Sequence, residues 1–134
     1  MVDFILHIGT EMEFVRLTYP RRIADPTFGA FRAEVRCGEF FAAANCEEHP
    51  VGGGVYRLKE QLGRLARTLE GEARFEPVGQ QLVFTMRPDR RGRLDIRGVL
   101  HQNELAQDTS LHFTIRLDQT FLPDIVAQLS KLEA

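Results

Sequence analysis

"SLHFTIRLDQTFLPDIVAQLSKL", residues 110–132, contains a change of period that decides the fold. Leu111, Phe113, Ile115 and Leu117 alternate with His112, Thr114, Arg116 and Asp118. A period of two describes a strand with one buried and one wet face. From there the apolar positions Leu122, Ile125, Val126, Leu129 and Leu132 take helical spacing instead. Thr120 stands where an N-cap belongs, Pro123 falls in the first turn, and Asp124 and Lys131 suit the positive and negative helix ends. The pattern predicts a strand over 109–118 and a helix over 120–133.

The same grammar runs upstream. Val55, Leu58, Leu62, Leu65, Ala66 and Leu69 form one stripe of a helix over 55–70, with Arg57, Glu60, Arg64 and Arg67 away from it. Glu60 and Arg64 are spaced for an i,i+4 pair, and Gly71 is placed to stop the helix. Gly63 costs about 1 kcal/mol against Ala, which predicts a close backbone contact there. Strands are expected at 13–19, 30–37 and 39–46, and again at 81–88 and 93–101. Gly38 divides the first run into a tight hairpin, and "RPDRRGR" carries the Pro, Asp and Gly of a turn.

Strands, helix, strands, helix is the order of an α+β fold. A mostly antiparallel sheet of about six to eight strands is expected, with both helices packed on one face. Residues 30–70 and 93–132 read as two hairpin–helix units. At 134 residues, the chain is expected to be a single α+β domain over 1–134.

Composition narrows the function class. With 43% hydrophobic and 27% charged residues the chain is too apolar for disorder, and a net charge of −2 gives no nucleic-acid footprint. No apolar run approaches the roughly 18 residues of a membrane helix, and the opening lacks a basic n-region and an apolar h-region. Cys37 and Cys46 make no disulfide framework. A reduced, cytoplasmic protein is expected, with no nucleic-acid or membrane partner. All basic residues except Lys59 and Lys131 are Arg, whose planar fork suits carboxylate pairs and interfaces.

No catalytic constellation emerges. "ANCEEHPVGGGVY", residues 44–56, groups Cys46, Glu47, Glu48 and His49. A structural zinc site needs four ligands, and no second C-x-x-C or H-x-x-x-H pair exists to complete one. Gly52, Gly53 and Gly54 precede a helix, but Tyr56 and Arg57 occupy the places where a phosphate loop puts Lys and a hydroxyl. They read as an adaptable lead into the helix. His7, His49, His101 and His112 are scattered, and the only serines, Ser110 and Ser130, lie in no nucleophile motif. Asp95 with Asp118 or Glu34 offers paired carboxylates, but alternating Arg residues suit them to ion pairing. No metal, cofactor or catalytic residue is assigned.

The polar strand positions carry more. Arg32, Glu34 and Arg36 alternate with Phe31, Ala33 and Val35, as Asp95 and Arg97 do with Leu94 and Ile96. Together with His112, Thr114 and Arg116 they form a mixed-charge face. A solvated face with cross-strand pairs is the usual state of an antiparallel sheet; an Arg-rich docking surface is the sharper reading.

"FGAFRAEV", "LKEQLGRLARTLEGEARF", "GRLDIRGVL" and "LHFTIRLDQTFLPDIVAQLSKL" resemble a small bacterial family. It includes immunity proteins guarding against wall-associated (Wap-type) polymorphic toxins. The resemblance spans most of residues 14–132, and "DQTFL" is its most distinctive piece. It implies a non-enzymatic protein that neutralises a cognate toxin by binding it, and it carries no catalytic residues. The expected contacts are Arg32, Glu34, Arg36, Arg97, His112 and Arg116, with Glu47 and Glu48 beside the glycine loop. The alternative is a small-ligand-binding or enzymatic α+β domain with a cleft near residues 46–54. Either a monomer or a homodimer fits.

Overall fold

The computed structural model describes residues 3–20, 29–48, 54–77, 79–103 and 109–132. Ten elements follow in order: β1 (Phe4–Gly9), β2 (Glu13–Tyr19), β3 (Gly29–Cys37), β4 (Phe40–Glu48), α1 (Gly54–Thr68), β5 (Ala73–Phe75), β6 (Leu82–Pro88), β7 (Arg93–His101), β8 (Ser110–Asp118) and α2 (Phe121–Leu129). The fold is α+β and mostly antiparallel sheet, as expected. Its eight strands form two four-stranded sheets, β1-β2-β3-β4 and β5-β6-β7-β8. The repeated unit is therefore a four-stranded sheet followed by a helix.

Each helix serves the other unit's sheet. α1 follows the first sheet and lies against β5 of the second; α2 follows the second and lies against β1 of the first. The two helices also touch. Both clasps use a glutamine amide. Gln128 Nε2 donates to the His7 carbonyl at 2.8 Å while its Oε1 accepts the His7 N–H at 2.7 Å. Gln61 Oε1 accepts the Arg74 N–H at 2.6 Å. An edge strand presents unpaired backbone groups, and these two edges meet helix side chains there. Lys59 ties the helices further, its Nζ donating to the Leu132 carbonyl at 3.0 Å.

The apolar periodicities converge on one core cluster. Leu6, Leu17, Phe31 and Val35 of the first sheet, Phe84, Ile96 and Ile115 of the second, and Leu58, Leu62, Ile125 and Leu129 of the helices all belong to it. An aromatic series spans the two sheets. Tyr19 stacks on Phe31 at 5.0 Å, Phe31 meets Phe75 edge-on at 5.8 Å, and Phe75 stacks on Phe84 at 5.1 Å. Gly54 opens α1 beneath this series, where a Cβ would stand 3.1 Å from the Phe75 ring and the Pro77 nitrogen. It is packed, not adaptable. Gly98 sits between Phe84 and Phe113 in register, and a Cβ there would fall 2.4 Å from the Val83 carbonyl oxygen.

Several local expectations need correction. α1 ends at Thr68, and Leu69 rather than Gly71 leaves it in the left-handed region with φ 54°. Its N–H still bonds the Leu65 carbonyl, but its side chain turns outward from the apolar stripe and is exposed. A Cβ at Gly63 would find only the Arg67 guanidinium at 3.9 Å, so no close backbone contact explains that glycine. Glu60 and Arg64 lie apart in solvent, outside the ion pairs formed. Thr120 occupies the N-cap position of α2 without a side-chain cap bond. Asp118 Oδ1 instead accepts the Thr120 N–H at 2.9 Å.

Candidate partner-binding surfaces

Alternation in β1–β4 puts the apolar set inside and leaves an outer face of His7, Phe14, Arg16, Arg32, Glu34, Arg36, Phe41 and Asn45. Phe14 is buried there because the Arg16 guanidinium lies 4.4 Å over its ring and the His7 ring 5.0 Å away. Arg16 Nε donates to His7 Nδ1 at 3.2 Å, and His7 Nε2 faces the Thr10 carbonyl at 3.2 Å, which places the ring proton on Nε2. Arg16 also pairs with Glu34, its cross-strand neighbour, at 3.6 Å. Arg32 donates to Asn45 Oδ1 at 3.3 Å, and Arg36 Nε to the Gly38 carbonyl at 3.1 Å. Glu47 is exposed in β4 opposite Ala30, and Glu48 follows it opposite Gly29.

The outer face of the second sheet centres on Asp95. Arg87 and Arg116 are its cross-strand neighbours, and Arg97 follows on the same strand face. Arg116 Nε lies 3.5 Å from Asp95 Oδ1 and an Arg97 amine 3.8 Å from Oδ2. Oδ1 is buried and makes no hydrogen bond, so that contact is an ion pair without directed bonding. Arg87 reaches Glu72 at 3.4 Å, and Arg74 holds Glu76 at 2.8 Å. His112 is exposed opposite Val99. The expected single charged face is thus two: Arg32, Glu34, Arg36 and Glu47 on one sheet, Arg97, His112 and Arg116 on the other. Both sheets turn their apolar sides to the shared core, so the two groups lie on the outer faces of different sheets.

Glu34 and Asp95 belong to different sheets, and Asp118 is held by the Thr120 amide, which keeps its carboxyl below the usual range. Cys46 is buried opposite Phe31, and Cys37 pairs in register with Phe40; neither is in a disulfide. Among the described residues no group of three His, Cys, Asp or Glu is arranged to hold a metal. His49, Pro50, Gly52 and Gly53 lie outside the described residues, with most of the expected cleft near 46–54. No helix among the described residues is long and apolar enough to cross a membrane.

"DQTFL" proves to be a clamp. Gln119 Nε2 donates to the Asp89 carbonyl at 2.9 Å and the Arg93 carbonyl at 3.2 Å, while its own N–H bonds the Gly92 carbonyl at 2.9 Å. The start of α2 is thereby fastened to the β6–β7 turn.

Exposed apolar side chains at one end of the first sheet escaped the charge-based reading. Met12 is 56% exposed, Phe40 71% and Phe41 50%. The signal was present as two adjacent Phe residues in a strand, where consecutive side chains must take opposite faces.

Comparison with known proteins decides the family. Residues 7–134 match the model of the WapI-like immunity protein family. The chain belongs to that family. Among solved structures it is similar to a chain from crystal structures of Trypanosoma bruciei MRP1/MRP2, at 11% identity and a TM-score of 0.49, over 97% of this chain and 81% of that one. That likeness is too distant to bear on function. The comparison with curated proteins found no match.

Proposed function

We propose that this WapI-like chain neutralises a bacterial toxin domain by binding it directly, without catalysis, in the cytoplasm of the cell that makes it. Membership of the immunity family over residues 7–134 carries the reading. The architecture supports it: Arg32, Arg97, His112 and Arg116 lie exposed on outer sheet faces, where a partner can reach them. One core cluster joining both sheets and both helices supports treating residues 1–134 as a single domain.

Because the charged candidates divide between two faces, a compact toxin domain engages one group at a time. Arg36→Glu and Arg97→Glu, made separately, identify which. Exposed charges govern encounter more than final affinity, so the variant on the contacting face changes the association rate and the other leaves it unchanged. The reading itself is tested by co-expressing the chain with toxin domains encoded in the same genome. Restored growth and a purified one-to-one complex are expected. Unrelieved toxicity with no complex overturns the reading.

A further inference from the structure

We propose that the joined tips of the β1–β2 and β3–β4 turns form an acidic, aromatic plug that inserts into a cleft with an apolar floor and a basic rim on a folded protein partner. Resting on the immunity reading, this partner is the toxin domain. The two turns are one unit, because the Gly38 N–H donates to the Met12 carbonyl at 2.8 Å. Across β2, β3 and β4, Glu13, Cys37 and Phe40 form one row, and Phe14, Arg36 and Phe41 the next.

Successive rows point to opposite sides of the sheet. Phe40 therefore projects from the core-side face beyond the end of the core, and Phe41 from the outer face. Both rings are at least half exposed, with Met12 between the turns equally so. A flat docking surface covers one side of a sheet; covering both rings takes a cleft that receives the tip. Aromatic residues and Met are the side chains enriched at the centres of protein interfaces.

The rim gives the partner's sign. Glu11, Glu13 and Glu39 are all exposed around the tip, and among the described residues none has an ion-pair partner. Glu34, Glu72, Glu76 and Asp95, by contrast, each face an arginine. Against the single guanidinium of Arg36, whose Nε is bound to the Gly38 carbonyl, three carboxylates around apolar anchors leave the tip net acidic and fit a partner surface of Lys and Arg. They also argue against a second copy of this chain on a two-fold axis, since an isologous contact would bring acid against acid.

Two measurements decide the matter. In the first, Phe40→Asp/Phe41→Asp is titrated against the toxin domain that the co-expression test identifies. Binding is expected to weaken by about 100-fold or more, with an unchanged melting curve; the milder Phe40→Ala serves if the double variant misfolds. Glu11→Lys/Glu39→Lys should slow association and flatten its salt dependence. In the second, p-benzoylphenylalanine at position 40 of the full chain is photolysed in the native host. The adduct is expected on a toxin-domain peptide rich in Lys and Arg. Full-strength binding by the tip variants overturns the plug and leaves the immunity reading standing. An adduct on a basic cleft of some other protein, with no toxin binding by the wild type, supports the plug and sinks the immunity reading. An adduct on a second copy of the chain, or no adduct, overturns the plug.

Discussion

The turn between β6 and β7 and the turn between β3 and β4 close two hairpins of one fold in opposite ways. At the first, Asp89 Oδ1 accepts the N–H groups of Arg91 at 2.8 Å and Arg93 at 2.9 Å, and Gln119 covers the carbonyls. Its backbone groups and the Asp89 carboxylate are bonded to the protein itself, while the Arg90 and Arg91 side chains stay exposed. At the second, Gly38 takes the left-handed conformation with φ 63°, and the flanking aromatic side chains face solvent. One turn holds the fold together; the other leaves contact area for something else. The proposed recognition tip is thus separate from the groups that brace the β6–β7 turn, so each can be altered without the other.

The largest effect tests the tightly built side. Gly98→Val pushes a side chain into the Val83 carbonyl, the Phe84 Cβ and the Phe113 ring. Overpacking of this kind costs about 3 kcal/mol or more, read as a large fall in the urea midpoint; an unchanged midpoint contradicts the packing described. Next comes the direct contrast. Gln119→Ala removes the turn clamp and should cost about 1 to 2 kcal/mol. Phe40→Ser/Phe41→Ser should change stability by no more than about 0.5 kcal/mol. A tip variant less stable than the clamp variant reverses the comparison.

Acid separates the two turns more finely. The Arg93 and Arg91 amides, with those residues' charges, hold the Asp89 carboxyl below the usual carboxylate range. A depressed folded-state pKa contributes stability above the unfolded value of 3.8, lost as pH falls through the folded value. Asp89→Asn should therefore melt lower than wild type at neutral pH, and the difference should close in strong acid. A difference that persists there means Asp89 acts through shape alone. The smallest effect is chemical. Burial first, and Glu13 second, push the Cys37 thiol above 9.0. Iodoacetamide at pH 8 should label it more slowly than a free cysteine peptide, and Glu13→Gln should raise the rate; equal rates remove Glu13 as an influence.

The period change at residues 110–132, the Gly38 hairpin and the Leu stripe of α1 were legible because local alternation alone specifies them. β1 was not, since Ile5 points outward and spoils the alternation of "FILHIG". β5 has three residues, too few to carry a period. The division into two sheets and the crossed helices depend on contacts between distant segments, such as Gln128 with His7, which no local pattern records. The charged positions were assigned correctly to wet strand faces, yet strand parity does not say which sheet a strand joins. Hence one expected surface became two. The clamp was visible as a distinctive motif, "DQTFL", but its target turn lies some 30 residues away.

Titrating the purified chain with the toxin domain proposed as its partner, by calorimetry, tests the central claim most directly. The account predicts saturable one-to-one binding that is lost in Phe40→Asp/Phe41→Asp and kept in Gln119→Ala. An absence of heat with the wild-type chain, together with undiminished toxin activity, would contradict it.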